Sequence, residues 1–311
     1  REDWARRDAQ SLNRAIGSLQ SLVRAAPDFA PGHAALAESW LLAREFGQVD
    51  DRKAFTEAEA AAQEALRLDP RLHTALRAQG FVDYWWHRRP AESGRRFREA
   101  IRLVPGDAQS HFWYGNILSD NGQAALAIKN FERAMTLQPG VLAMRVDYAW
   151  THWEAGNEDR ARSLLREIEP EAGNSAVYHA VLSDAALAAG DWQGHAEHYN
   201  AFAQLRNEPT LLAHAARMLS AARQGDPAIA EAAYANAVSD ADSSVAGDHS
   251  FVALIAATRG DRAALLDVLR DAQSRGEKWG SAGYRLRIAN RYGGDAEIMT
   301  LLDSLRAEAV E

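Results

Sequence analysis

Six glycines, Gly122, Gly156, Gly190, Gly225, Gly260 and Gly294, recur at intervals of 34, 34, 35, 35 and 34 residues. A period of that length restricts the fold sharply, because each repeating unit must bury its apolar surface against its neighbours. A polar residue follows every one of these glycines, in most cases Asn or Asp. That pairing suits a tight turn that ends one helix and starts the next. Five residues on, a small-x3-large-x2-small pattern begins. It reads Ala127, Phe131, Ala134; Ala161, Leu165, Ile168; Ala230, Tyr234, Ala237; and Leu265, Leu269, Ala272. Earlier copies are Ala15, Leu19, Leu22; Ala58, Ala62, Ala65; and Ser93, Phe97, Ala100. Steps of four and three put each triplet on one helical face. Pro27, Pro70, Pro105 and Pro139 stop the helices that carry four of the copies.

This pattern resembles the tetratricopeptide repeat, a helix–turn–helix unit of 34 residues. The segment from Ala108 to Pro139 fits best, through Tyr114, Gly115, Leu118, Gly122, Ala127, Phe131, Ala134 and Pro139, with His111 in place of the usual tryptophan. The match is specific from about Ala15 to Ile168. Beyond it the period persists while the motif decays, and His195 stands where a small residue belongs. The resemblance implies an all-α fold, a right-handed solenoid of about eight repeats. A single domain over residues 1–311 is expected, clear in 1–170, degenerate in 171–294 and capped by 295–311 with a helix from Asp295 to Ala307.

A second, more distant resemblance rests on "APDFAPGHAALAESWLLAREFG", "EALRLDP" and "GFVDYWW…AESGRRFREAIRLVPGDAQSHFWYGNIL". These stretches are similar to repeat modules fused to bacterial winged-helix transcription regulators, often membrane-tethered. Such modules are sensory or interaction portions. The resemblance implies a protein or peptide partner, or a small ligand, and leaves a homodimer open. It also implies the periplasmic side of the inner membrane for a tethered regulator and the cytoplasm otherwise. The chain begins at Arg1 without methionine, and a longer protein with an N-terminal output domain is expected.

Composition bounds the function. The formal net charge of -8 argues against direct nucleic-acid contact, which needs a basic face. With no cysteine, disulfides, thiolate metal sites and cysteine nucleophiles are excluded. No apolar run reaches the length of a membrane span. Phosphate-cradling glycine loops, G-x-S-x-G and paired carboxylates in a plausible cleft are absent, so neither enzyme activity nor a cofactor is expected.

The run "FVDYWWHRRP", Phe81 to Pro90, crowds more aromatics than one helical face holds. Register against Gly115 puts it at the end of a first helix and in its turn. Arg88 falls one period before Gly122, and Pro90 starts the next helix. The turn should therefore be about one residue longer than its glycine counterparts. Trp86 is expected near that turn, against the helix of Phe97. In tetratricopeptide arrays the first helices line a concave groove. The matching positions are Arg77, Phe81, Tyr84 and Trp85; Phe112, Asn116 and Asp120; and Trp150, Trp153 and Glu154. Two readings stand: rigid aromatic contact area for a partner, or packing of the array on itself. In the second, the chain is a scaffold or self-association module with no sensed ligand.

His195 and His198 flank Glu197 at a spacing that suits a metal, but no further ligand is near in sequence, so no metal is expected. Arg95, Arg98 and Arg102 share a helix face expected to be convex and solvated. Glu45, Asp50 and Asp51 lie in the longer turn "REFGQVDDRKAF", which is read as inserting about nine residues into one repeat, a common place for recognition loops.

Overall fold

The computed structural model describes residues 9–46, 49–243 and 248–310. Gly47 and Gln48 of the insertion, and Arg1 with the rest of the first eight residues, lie outside them. Among the described residues there are seventeen helices and no strand. They are α1 Ala9–Ala25, α2 Ala30–Phe46, α3 Asp51–Leu68, α4 His73–Trp85, α5 Pro90–Leu103, α6 Ala108–Asp120, α7 Ala124–Leu137, α8 Leu142–Glu154 and α9 Glu158–Ala172, then α10 Ala176–Ala189, α11 Trp192–Arg206, α12 Pro209–Ala222, α13 Asp226–Ser243, α14 Ser250–Thr258, α15 Arg262–Ser274, α16 Ala282–Tyr292 and α17 Ala296–Ser304. From α2 onward they form helix pairs, an all-α repeat solenoid as the period demands. The helix expected as a terminal cap is α17, the second helix of the last pair, with Asp295 capping its first turn.

The glycine ladder sits where the period put it. Gly122, Gly156, Gly190, Gly225 and Gly260 all have φ between 72° and 96°, each between the two helices of a pair. At Gly156 the following amide, Asn157 N–H, reaches back to His152 O at 2.8 Å, the closure that a left-handed residue permits. Gly294 is the exception, with no left-handed φ. Arg88 takes the ladder's place between α4 and α5 and adopts φ 54°. There Arg89 N–H reaches Asp83 O at 2.8 Å, spanning one residue more than the Gln123–Leu118 bond of the next turn.

The triplets form the interior. Phe131 and Phe97 are wholly buried, as are their alanine neighbours Ala127, Ala134 and Ala100. Burying such a ring contributes about 1.5–3 kcal/mol from its area alone. The earliest copy differs: Leu22, on α1, is exposed together with Phe29.

The contacts group into two compact units: the described residues to Ile117 with Ala309 and Val310, and Leu118 to Glu308. In the first unit Gly94 abuts the Val310 carbonyl so closely that a Cβ would not fit. In the second, Trp279 is fully buried and pairs through its backbone with Leu305 and Ala307.

Candidate functional site

In the first unit, Arg77 of α4 is 3% exposed and ties three elements together. Its Nε donates to Glu38 of α2 at 2.8 Å, Nη1 donates to Asp107 before α6, and the guanidinium lies over Trp113 at 5.5 Å. Burial pushes the Glu38 carboxyl up against the pull of Arg77. Asp107, also raised by burial, is carried below its ordinary value by Arg77 and Ser110. Arg77 is thus an internal ionic hub.

Phe81 is buried between Trp113, at 5.0 Å, and Trp85, at 6.1 Å, while Tyr84 meets Trp85 edge-on. Phe112 is buried; Trp85 and Asn116 are half-buried. Trp86 stacks on Phe55 of α3 at 5.1 Å, not on the helix of Phe97, because it continues α4 as its C-cap and α4 packs along α3 as well as α5. Phe97 stacks on Tyr114 instead. Beside these rings Glu59, Gln79, Asp83, Arg89 and Arg96 line a polar notch of about 360 Å³. Of the three arginines on α5, Arg95 pairs with Glu92 and Arg102 with Glu99 on the surface, while Arg98, also exposed, donates to the Tyr114 hydroxyl at 3.3 Å.

In the second unit, Trp150 and Trp153 of α8 stack at 4.2 Å. Tyr284 of α16 stands edge-on to both, at 6.4 and 6.2 Å. Trp153 is 5% exposed because α16 covers it. A Cβ on Gly283 would lie 2.6 Å from the indole, so only glycine lets the helix come this close. Polar groups from two first helices, α6 and α10, hold α16 on either side of the α8 indoles. Asp120 of α6 accepts Ser281 N–H at 2.9 Å, Asp184 of α10 accepts the Tyr284 hydroxyl at 2.6 Å, and Ala188 O accepts Arg291 Nη2 at 2.7 Å.

Glu154 ends α8 beneath this helix. Burial, with Asp120 nearby, pushes its carboxyl up to about 8, so it is largely neutral at pH 7. The Ser119 hydroxyl lies against the carboxyl and 2.9 Å from Thr151 Oγ1. Burial also lifts Asp184, to about 6 despite the Tyr284 hydrogen bond. Ser119, Gly122, Glu154, Arg285, Leu286 and Arg306 line part of a cavity of about 340 Å³ at this end. The sequence reading missed Trp113, Asp184, Tyr284 and Arg287. Only the "WY" of "HFWYGN" offered a signal, for Trp113.

His195 and His198 part company. His195 is buried against Ser183 at 2.8 Å and, by desolvation, pushed down to about 4. His198 meets His179 of α10 instead. Among the described residues no group of three or more His, Cys, Asp or Glu is placed to hold a metal, and no helix is long and apolar enough to cross a membrane.

Residues 118–185 match the family model of the tetratricopeptide repeat. No curated protein matches the chain significantly. Solved structures with a similar chain path include yeast Tom70, 12% identical, covering 96% of this chain and 59% of that one, with a TM-score of 0.48. The APC/C hetero-tetramer Cut9–Hcn1 is 14% identical, covering 95% and 59%, with a TM-score of 0.49. PilW, a type IV pilus biogenesis factor, is 13% identical, covering 88% and 98%, with a TM-score of 0.46. The chain carries tetratricopeptide repeats in an all-α solenoid, and repeats of this class are protein-interaction modules.

Proposed function

We propose that this chain is a non-catalytic protein-binding module that takes a helical segment on the face of its first helices. Asp120, Trp150, Trp153 and Glu154 form the contact in the second unit. Of the positions expected in the first unit, the half-buried Trp85 and Asn116 are the ones proposed for a partner, while Arg77, Phe81, Tyr84 and Phe112 are buried and hold them in place. The observation that carries the reading is α16, a helix of this same chain held by side chains of α6, α8 and α10. The contact is polar as well as aromatic, the mixed chemistry of interfaces that exchange partners. On this reading α16 is the resident ligand and a partner helix replaces it. The similarity of the N-terminal repeats to modules of bacterial winged-helix regulators supports a sensory or interaction role in transcriptional signalling.

The close fit of Gly283 on Trp153 favours a second reading, a scaffold whose α16 never leaves. A labelled synthetic peptide of residues 280–294 separates the two. Under the exchange reading it binds a Tyr284→Phe, Arg287→Met chain more tightly than wild type, and a further Trp153→Ala change abolishes binding. Hydrogen exchange in α16 should also run ahead of that in α8. A peptide that binds neither chain, with α16 exchanging only on global unfolding, leaves the scaffold.

A further inference from the structure

The histidine that sequence spacing paired with His195 has a different neighbour. His198 of α11 and His179 of α10 bring their Nδ1 atoms to 3.2 Å, with the rings tilted by 32°. Both side chains are half-buried, at the surface of the second unit. The other nitrogen of His179 settles the protons. Nε2 lies 3.1 Å from Gly173 O, a carbonyl that can only accept, so Nε2 carries the hydrogen and Nδ1 presents a bare lone pair. Within the pair His198 Nδ1–H is therefore the donor. Nε2 of His198 hydrogen-bonds to no group among the described residues, and moving the hydrogen there bares the second Nδ1.

We propose that His179 and His198 form a chelating site for a divalent transition-metal ion of the Zn²⁺ type. With metal–nitrogen bonds of about 2.0–2.1 Å, two nitrogens 3.2 Å apart subtend roughly 100° at the metal, close to tetrahedral. At that separation the ion would lie roughly 40° off the N–N line as seen from each nitrogen. The His179–Gly173 bond is the outer-shell contact that ligating histidines use to fix ring and tautomer. Glu197, its carboxylate held by Gln193 at 2.7 Å, adjoins His198 in sequence and supplies negative potential. Two imidazoles leave half of a tetrahedral sphere to water, or to a ligand from a bound partner. The site is open, and its ligands come from the two helices of one repeat, so a bound ion cross-links α10 to α11.

Calorimetric titration of Zn²⁺ into the untagged chain tests this, with Mg²⁺ as the control cation. The expected result is one Zn²⁺ per chain and no Mg²⁺. His179→Gln or His198→Gln should weaken binding by roughly tenfold or more, and His33→Gln should leave it unchanged. Melting by circular dichroism verifies that the variants fold. Independently, Co²⁺ on the wild-type chain should show the intense visible bands of a tetrahedral centre. Absence of Zn²⁺ binding, variants that bind as wild type, or a pale octahedral Co²⁺ spectrum overturns the proposal.

Discussion

The guanidinium carbon of Arg287 lies 3.5 Å from the centroid of the Trp153 indole, over its face. The same side chain donates to Glu158 at 3.0 Å and to Gly283 O at 3.3 Å. Burial opposes the charge and lowers the Arg287 pKa, while Glu158 works the other way. A buried cation is tolerated here because a π face and a carboxylate both meet it.

Arg287→Ala should therefore destabilise the chain by about 2–3 kcal/mol, through lost packing on the indole and an unmatched polar seam. Arg287→Lys should recover little, since an ammonium can neither lie flat on the ring nor bridge two acceptors in the same plane. Denaturant midpoints of the two variants against wild type measure this; a lysine variant as stable as wild type would refute the stacking account.

Gly283→Ala sets two effects against each other. Alanine is the better helix former by about 1 kcal/mol. Its Cβ, however, would meet the Trp153 ring at 2.6 Å and the Glu154 Cα at 3.1 Å, and the second is backbone that cannot turn aside. Overpacking of this kind costs about 1–3 kcal/mol, so the net effect is a loss. A thermal melt with a raised midpoint for Gly283→Ala would mean that α16 sits further from α8 than described.

These residues also mark how far the sequence could be read. The helix pairs and their turns were legible because the period is local: Gly156 and Phe131 reveal their roles within a dozen residues. Even the substitution of Arg88 for a ladder glycine, and the longer turn it brings, followed from counting. The fate of Trp153 did not. Its cover, α16, lies some 130 residues downstream in a stretch where the motif has decayed, and no spacing links Gly283 or Arg287 to it. Arg77 is similar, since its partner Glu38 comes from the preceding pair. Whether a repeat's inner face is open depends on such remote contacts. Local periodicity says only which face it is.

At Arg88 the backbone conformation and the residue type disagree. At φ 54° a non-glycine residue is strained by about 1–2 kcal/mol. Comparing Arg88→Gly with Arg88→Ala removes the side chain in both and leaves the backbone as the difference. Glycine should be the more stable by about 0.5–1 kcal/mol, the reverse of the order in a helix interior. Equal melting temperatures would place the turn's strain elsewhere.

The last test concerns Glu154, whose folded pKa is raised from 4.5 to about 8, chiefly by burial. For an acid shifted upward, the folded state holds a proton that the unfolded state has released. The stabilisation is complete below pH 4.5 and is lost as pH rises toward 8, with a slope of at most about 1.4 kcal/mol per pH unit. Asp184, raised from 3.8 to about 6, has the same sign over a lower window. His195, lowered from 6.5 to about 4, has the opposite one and loses stability as pH falls. Glu154→Gln isolates the first contribution, because glutamine keeps the shape of the neutral acid and does not titrate. At pH 5 variant and wild type should differ by no more than about 0.5 kcal/mol. At pH 8.5 the variant should be the more stable by about 1 kcal/mol or more, because the wild type must then bury a carboxylate near Asp120. Chemical denaturation at the two pH values measures the difference. Parallel pH profiles would show that Glu154 titrates in the folded chain as it does in water, and that α16 does not seal the end of α8.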